Sequence, residues 1–261
     1  MFFFAISFVI CSLGALAGIG GGMLLKPILE STTDLSILSI NALSAITVIA
    51  MTCSALCKQR KHFKLPLSIA FWIGLGAIIG GYMGQGLFSL AWKDLNEHLL
   101  RLGQDSMLFL IVLVIIIYET IKKRSLKKEI LNVQQIKVKK SIFIGMGLGS
   151  LASFLSIGGG PFNKPIIERA FSTTSAQAAS ISLVIILFSQ SIGFVSMLMT
   201  HDLDHIDWHL APMLILGAIL GGMCGGWLLQ HLSEHSHQKI FIWILYAIAL
   251  LNLYNISAGF F

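Results

Sequence analysis

Charge is scarce in this chain. Only 11% of its 261 residues are Asp, Glu, Lys or Arg, while 56% are hydrophobic; a soluble domain carries roughly 25% charged residues. So thin a charged set cannot cover a water-facing surface, which excludes an ordinary soluble globular protein. Cysteine is also sparse, and Cys11, Cys53, Cys57 and Cys224 all lie in apolar segments. Cys53 and Cys57 are one helical turn apart, but two thiols fall short of the four ligands of a structural zinc site, and all four cysteines read as small packing residues. No cationic stretch precedes the first apolar run and no clear cleavage site follows it, so residues 2–16 read as a retained helix rather than a leader. Missing too are strands of ~10 residues with alternating polarity, which excludes a membrane β-barrel.

What is present is apolar length. Residues 2–29, 35–57, 66–92, 107–121, 141–167, 176–200, 208–232 and 240–261 are each long enough, or nearly so, to cross ~30 Å of hydrocarbon. The expected fold is an all-α polytopic membrane protein of about eight transmembrane segments, with little chain left for any soluble domain. Twelve of the eighteen Lys and Arg residues fall in two short loops: Lys58, Arg60, Lys61 and Lys64, then Lys122, Lys123, Arg124, Lys127, Lys128, Lys137, Lys139 and Lys140. Cytoplasmic loops carry such an excess, so the net charge of +6 is a topology signal and not a nucleic-acid patch.

The chain repeats itself. Ile19-Gly20-Gly21-Gly22 returns as Ile157-Gly158-Gly159-Gly160, Lys26-Pro27 as Lys164-Pro165, and Glu30 as Glu168, all 138 positions on. A second match, 141 positions on, aligns Gly76, Gly80 and Gly84 with Gly217, Gly221 and Gly225. Glycines four apart share one helix face and let two helices approach closely in lipid, so these ridges are expected to hold the halves together and not to bind substrate. The division is a first transmembrane repeat over 1–121, a basic cytoplasmic linker over 122–140 and a second repeat over 141–261. The loop equivalent to the basic 58–64 is His201-Asp202-Leu203-Asp204-His205-Ile206-Asp207, acidic with histidines. Equivalent loops of opposite charge favour inverted halves. Inversion needs an odd number of crossings per half, which the broken first helix of each half supplies if it is re-entrant.

The breaks carry the chemistry. Glycine costs about 1 kcal/mol relative to alanine in a helix, and Pro27 and Pro165 each remove a backbone donor. Unpaired backbone is not tolerated facing lipid, so each break faces protein or a watery cavity. A glycine run that leads into a new helix leaves N–H groups at its positive end, an anion site. Gly20, Gly21, Gly22, Gly158, Gly159 and Gly160 are the expected backbone ligands, with Lys26 and Lys164 supplying positive charge. An intramembrane lysine costs roughly 2.5–3.5 kcal/mol, so it is functional or paired, unless the end of its segment reaches the interface and lets it snorkel. Glu30 and Glu168, four residues on, are placed either to neutralise the lysines as i,i+4 ion pairs or to couple transport to protons.

The pattern Gly-x-Gly-Gly-Gly-x4-Pro, once per half, resembles the TauE/SafE sulfite exporter family of membrane permeases. It reads Gly18-Ile19-Gly20-Gly21-Gly22 through Pro27, and Ser156-Ile157-Gly158-Gly159-Gly160 through Pro165. The likeness covers essentially the whole chain, and His205-Ile206-Asp207-Trp208 is similar to the family's Ile-Asp-Trp at the start of its penultimate helix. Ser156 stands in place of a glycine, and lysine precedes both prolines where the family more often has an apolar residue. Asn41-Ala42-Leu43-Ser44 and Ala178-Ala179-Ser180-Ile181-Ser182 lack the threonine-serine pair common there. The resemblance implies transport of a small anion, such as sulfite or an organosulfonate, across the cytoplasmic membrane of a prokaryote.

Polar residues inside apolar segments complete the candidates. Asn41, Gln190 and Ser191 offer amide and hydroxyl donors for an oxyanion; other such residues read as interhelical glue. The expected activity is a permease moving a small anion by alternating access, with the lipid bilayer as its setting, no cofactor, no bound metal and no nucleic acid. Enzyme chemistry is not expected, since no serine–histidine or carboxylate pair sits in a recognisable motif. Two competing readings are a divalent-cation transporter using the histidine and aspartate loop at 201–207 and a non-transporting membrane scaffold.

Overall fold

The structure, a computed structural model, describes residues 1–59, 67–94, 97–121, 138–155, 160–200 and 207–259. These form ten α-helices: α1 (Phe2–Ala17), α2 (Gly22–Thr32), α3 (Ile37–Gln59), α4 (Leu67–Asp94), α5 (Glu97–Ile121), α6 (Val138–Phe154), α7 (Asn163–Phe171), α8 (Ser175–Thr200), α9 (Ala211–His231) and α10 (Glu234–Gly259). Six of them (α3, α4, α5, α8, α9 and α10) are long and apolar enough to cross a membrane. Large apolar side chains such as Phe71, Tyr82, Val114, Trp243 and Leu250 point outward. In water such a surface would aggregate; in lipid it is the solvent-facing side. The chain is a multi-pass membrane protein.

Residues 2–29 do not form one span. After α1, Gly18 takes a left-handed conformation (φ 68°), and Ile19 N–H reaches back to Gly14 O at 3.1 Å, the long closing bond of a glycine-terminated helix. Gly20 follows with φ 86°. The chain then crosses the last turns of α1 so tightly that a Cβ on Gly14 would stand 2.7 Å from Gly21 N. Helix α2 starts there. With 16 and 11 residues, α1 and α2 extend about 24 and 16 Å, and neither reaches across the bilayer alone. Residues 141–167 divide likewise between α6 and α7. The eight apolar segments are thus six long helices and two broken pairs.

Glycine contacts fix the helix directions. A Cβ on Gly76, Gly80 or Gly84 of α4 would run into the carbonyls of Ile142, Met146 and Ser150 of α6. On α9, Gly217, Gly221 and Gly225 meet Phe4 O, Phe8 O and Ser12 O of α1 in the same rhythm. Both numberings rise together, so each pair runs parallel. Gly222 and Gly226 of α9 step along Met51 and Ala55 of α3, and Gly74 and Gly193 join α4 to α8 at Phe188 and Gln85; these pairs are parallel as well. Helices α3 and α8 are antiparallel. Gln59, ending α3, accepts a hydrogen bond from Ser180 near the start of α8 at 2.8 Å, while Leu38 and Ala42 at the other end of α3 pack on Met197.

It follows that α1, α3 and α9 point one way and α4, α6 and α8 the other. Because α1 and α3 share a direction, α2 and the short segment after it must carry the chain back, so α1 and α2 make a hairpin whose turn is Gly18–Gly21. The same reasoning makes α6 and α7 a hairpin from the opposite end. Lys58 at the close of α3 and Lys139 and Lys140 at the opening of α6 therefore lie at one end of the bundle, where Gln230 of α9 also donates to Lys58 O at 3.0 Å. The remainder of the two basic loops, residues 60–66 and 122–137, lies outside the described residues.

Candidate functional site

The first hairpin turn is buried and pinned. Gly18 through Gly22 are all buried, Ser182 Oγ of α8 donates to Gly18 O at 2.5 Å, and a Cβ on Gly18 would overlap Ala179. Gly21 precedes α2 and Gly22 opens it; Leu24 N and Leu25 N both donate to Gly21 O, at 3.2 and 3.0 Å, which leaves the N–H groups of Gly22 and Met23 without an acceptor within the helix, at the turn. The second turn is seen only in part. Gly160 is buried under the Phe162 ring, and Gly158 and Gly159 lie outside the described residues.

Lys26, on the second turn of α2, is 1% exposed. Its ammonium donates to Gln104 Oε1 of α5 at 2.6 Å, and the same carboxamide donates through Nε2 to Phe154 O at the end of α6, 3.0 Å away. Glu30 does not answer it. That carboxylate accepts from Asn255 Nδ2 of α10 at 3.3 Å, and Asn255 also donates to Pro27 O at 3.2 Å. The i,i+4 ion pair open to Lys26 and Glu30 is therefore not made. Each side chain is drawn to a carboxamide on a different neighbouring helix, which leaves the cation beside a neutral partner.

Lys164, second residue of α7, is 2% exposed, and Glu168 one turn on is 4% exposed. The Lys164 Nζ stands 4.3 Å from the centroid of the Phe241 ring of α10, within cation–π range. The two lysines thus rest on different long helices, Lys26 on α5 and Lys164 on α10. Beside Lys164 is a residue the sequence reasoning missed. Asn163 is fully buried, and among the described residues neither its amide nitrogen nor its amide oxygen has a hydrogen-bond partner. Such a group costs about 1–3 kcal/mol, which calls for a water or a ligand. The available signal was an amide next to Lys164, where the first half has Leu25.

Asn41 and Gln190 come together. With Gln85 of α4 and Ser153 of α6 they line a small cavity closed by Ala45, Gly193, Phe194 and Met197. Its volume is about 10 Å³, room for roughly one water. Asn41 is 3% exposed, and among the described residues neither of its amide atoms has a partner; Gln85 and Gln190 are each 4% exposed. Three carboxamides meeting at one point give a neutral site rich in both donors and acceptors. Gln85 and Ser153 were not anticipated, although Gln85 is the one amide in a glycine-rich helix. Ser191 is half-buried and is not part of the lining.

Residues 201–206 of the histidine and aspartate loop lie outside the described residues. Asp207 N donates to Ser39 Oγ at 3.1 Å, and Asp207 Oδ1 accepts from His209 N at 2.9 Å, which makes this residue part of a helix connection. Among the described residues no group of three or more His, Cys, Asp or Glu is placed to hold a metal ion.

The family model "Sulfite exporter TauE/SafE" matches residues 3–251. No curated protein and no solved structure matches the chain.

Proposed function

The chain belongs to the sulfite exporter TauE/SafE family, whose members are membrane transporters and not enzymes, and from that premise we propose that it moves a small sulfur oxyanion, sulfite or an organosulfonate, across a prokaryotic inner membrane by alternating access. The observation that carries this reading is Lys26. Its charge is buried among membrane helices beside a carboxamide that contributes no negative charge. A hydrogen bond to a charged group is worth about 1.5–3 kcal/mol, enough to offset roughly the cost of an intramembrane lysine, yet the positive potential persists. An arriving anion supplies what Gln104 cannot.

The site is built from two hairpins. Amide groups at Gly20–Gly22 and Gly158–Gly160 face the anion at the positive ends of α2 and α7. Lys26 and Lys164 add charge, Asn163 adds a donor, and Asn41, Gln190 and Ser191 lie along the path. Glu30 and Glu168 exchange protons as the anion passes. The halves are inverted repeats, α1 to α5 corresponding to α6 to α10. Supporting this, Gly76, Gly80 and Gly84 sit on Ile142, Met146 and Ser150, while Gly217, Gly221 and Gly225 sit on Phe4, Phe8 and Ser12; each acceptor in the first set lies 138 positions beyond its counterpart in the second. The equivalent helices α3 and α8 run antiparallel, as an axis in the membrane plane requires.

Sulfite flux into proteoliposomes tests the proposal. Lys26→Met and Lys164→Met are each expected to lower flux at least a hundredfold while His201→Ala and His205→Ala leave it intact. Metal-dependent flux that needs either histidine would replace the anion reading with the cation one.

A further inference from the structure

An apolar groove of about 490 Å³ lies open on the outer surface between α5 and the second hairpin. Its α5 wall runs from Leu110 through Val114 to Tyr118, about 12 Å along the helix. Ile166 and Arg169 of α7 form the facing wall, and Phe162 closes the inner end. Leu110 and Val114 are 60% and 64% exposed, so none of the described residues covers the groove.

The groove has a direction. Helix α6 enters at Lys139 and Lys140 and α7 returns to the same end, where Lys140 Nζ donates to Ala170 O at 2.6 Å. Arg169, one residue before Ala170, therefore sits at the end of the bundle that also holds Lys58. Phe162 sits at the opposite end of the groove, next to the hairpin turn. A channel that is cationic at the membrane surface and purely apolar toward the interior matches a phospholipid, headgroup outward and acyl chain inward. Among the described residues Arg169 has no hydrogen-bond or ion-pair partner, and Lys140 stands beside it.

We propose that this groove is a binding site for one anionic phospholipid, its phosphate on Arg169 with Lys140 adjacent and one acyl chain lying along Leu110, Val114 and Ile166 to Phe162. Charge complementarity selects the lipid: the excess of basic residues marks this end as cytoplasmic, and basic pockets between helices on that side bind anionic headgroups. A second copy of the chain would have to bring a carboxylate to Arg169 at the membrane surface. The inner end of the acyl chain would rest on Phe162, whose ring covers Gly160, so lipid occupancy bears on the second hairpin.

Native mass spectrometry of the full-length protein, exchanged from detergent with phosphatidylglycerol or phosphatidylcholine of identical chains, provides the test. Wild type is expected to retain one phosphatidylglycerol at least fivefold more than phosphatidylcholine. Arg169→Gln, an exposed change, should bring retention of the two lipids to the same level. Val114→Trp, which fills the groove, should lower retention of both. Equal retention of both lipids by wild type, or preference for phosphatidylglycerol that survives Arg169→Gln, would overturn the proposal. So would a dimer cross-linked through Val114→Cys, since the groove would then belong to a second copy. If Val114→Trp fails to fold, Arg169→Gln decides alone.

Discussion

The Lys26 ammonium and the Gln104 carboxamide meet at 2.6 Å across 78 positions of sequence. Because Gln104 also holds Phe154 O at 3.0 Å, the cation of the first hairpin is tied to the end of α6, the first arm of the second. On the proposed reading, the substrate's charge partner is thereby linked directly to the other half. The link is a neutral one, and under the proposed function its neutrality matters, since a carboxylate in its place would pair Lys26 permanently.

Gln104→Glu tests that point. The substitution places a carboxylate where Oε1 now stands and pairs Lys26 outright. Sulfite flux into proteoliposomes should fall at least tenfold, while the melting temperature in detergent stays the same or rises. Unchanged flux would mean that the Lys26 charge is not what the anion uses.

Asn41 leads to a less intuitive expectation. Among the described residues its buried amide has no partner on either atom, a state that costs about 1–3 kcal/mol, and it faces a cavity with room for a single water. Asn41→Leu removes the unmet polar group at nearly constant volume. Thermal stability should therefore rise or hold while flux falls, the trade expected where function keeps a destabilised group. Lower stability with full flux would make Asn41 a structural residue whose hydrogen bonds go to ordered water.

Much of this architecture was legible in the sequence, and the illegible part has definite physical reasons. Scarce charge and long apolar runs give a helical membrane protein directly, because lipid tolerates few alternatives. The ridges at Gly76–Gly84 and Gly217–Gly225 announce close helix contacts, and the structure puts a backbone carbonyl against each of those six residues. The extent of residues 2–29 was misleading, since hydropathy does not register the reversal at Gly18–Gly21. The glycine run marked a break there and left a re-entrant pass open, but that the chain turns back follows only from the left-handed turn and the contacts of α1 and α3 with α9. The partner of Lys26 was out of reach for another reason. Glu30 is the local choice, but Gln104 and Asn255 arrive from helices far along the chain, and which one a side chain meets depends on tertiary packing. Gln85, Ser153 and Asn163 escaped notice because an isolated polar residue in an apolar helix looks the same whether it binds, bridges or fills space.

The glycine ridges predict a sharp contrast between faces. A side chain at Gly80 would strike Met146 O, and one at Gly221 would stand 2.5 Å from Phe8 O, whereas Gly86 has open space around it. Backbone cannot yield as a side chain can, so Gly80→Val and Gly221→Val should each cost at least the 1–3 kcal/mol, roughly, of an overpacked core. Both should lower the melting temperature in detergent or abolish a monodisperse peak. Gly86→Ala should be neutral or gain up to about 1 kcal/mol from helix propensity. Equal tolerance at all three sites would refute the parallel packing of α4 on α6 and of α9 on α1.

The hairpins predict where the chain ends up. If residues 2–29 and 141–167 each crossed the bilayer, four crossings would separate the basic linker from either terminus, and both termini would be cytoplasmic. If α1–α2 and α6–α7 are re-entrant, only α8, α9 and α10 cross after the linker, and the chain end beyond α10 emerges on the far side. A phosphatase reporter, active only outside the cytoplasm, should therefore be active when fused after Phe261 and silent when inserted near residue 130, with a fluorescent-protein reporter giving the reverse pattern. A reporter between residues 201 and 206 should also read as external, because two crossings, α9 and α10, separate that loop from the chain end. A cytoplasmic reading after Phe261 together with a cytoplasmic linker would remove the re-entrant hairpins. It would also remove the inverted repeat that depends on them, since an even number of crossings per half leaves the two halves parallel.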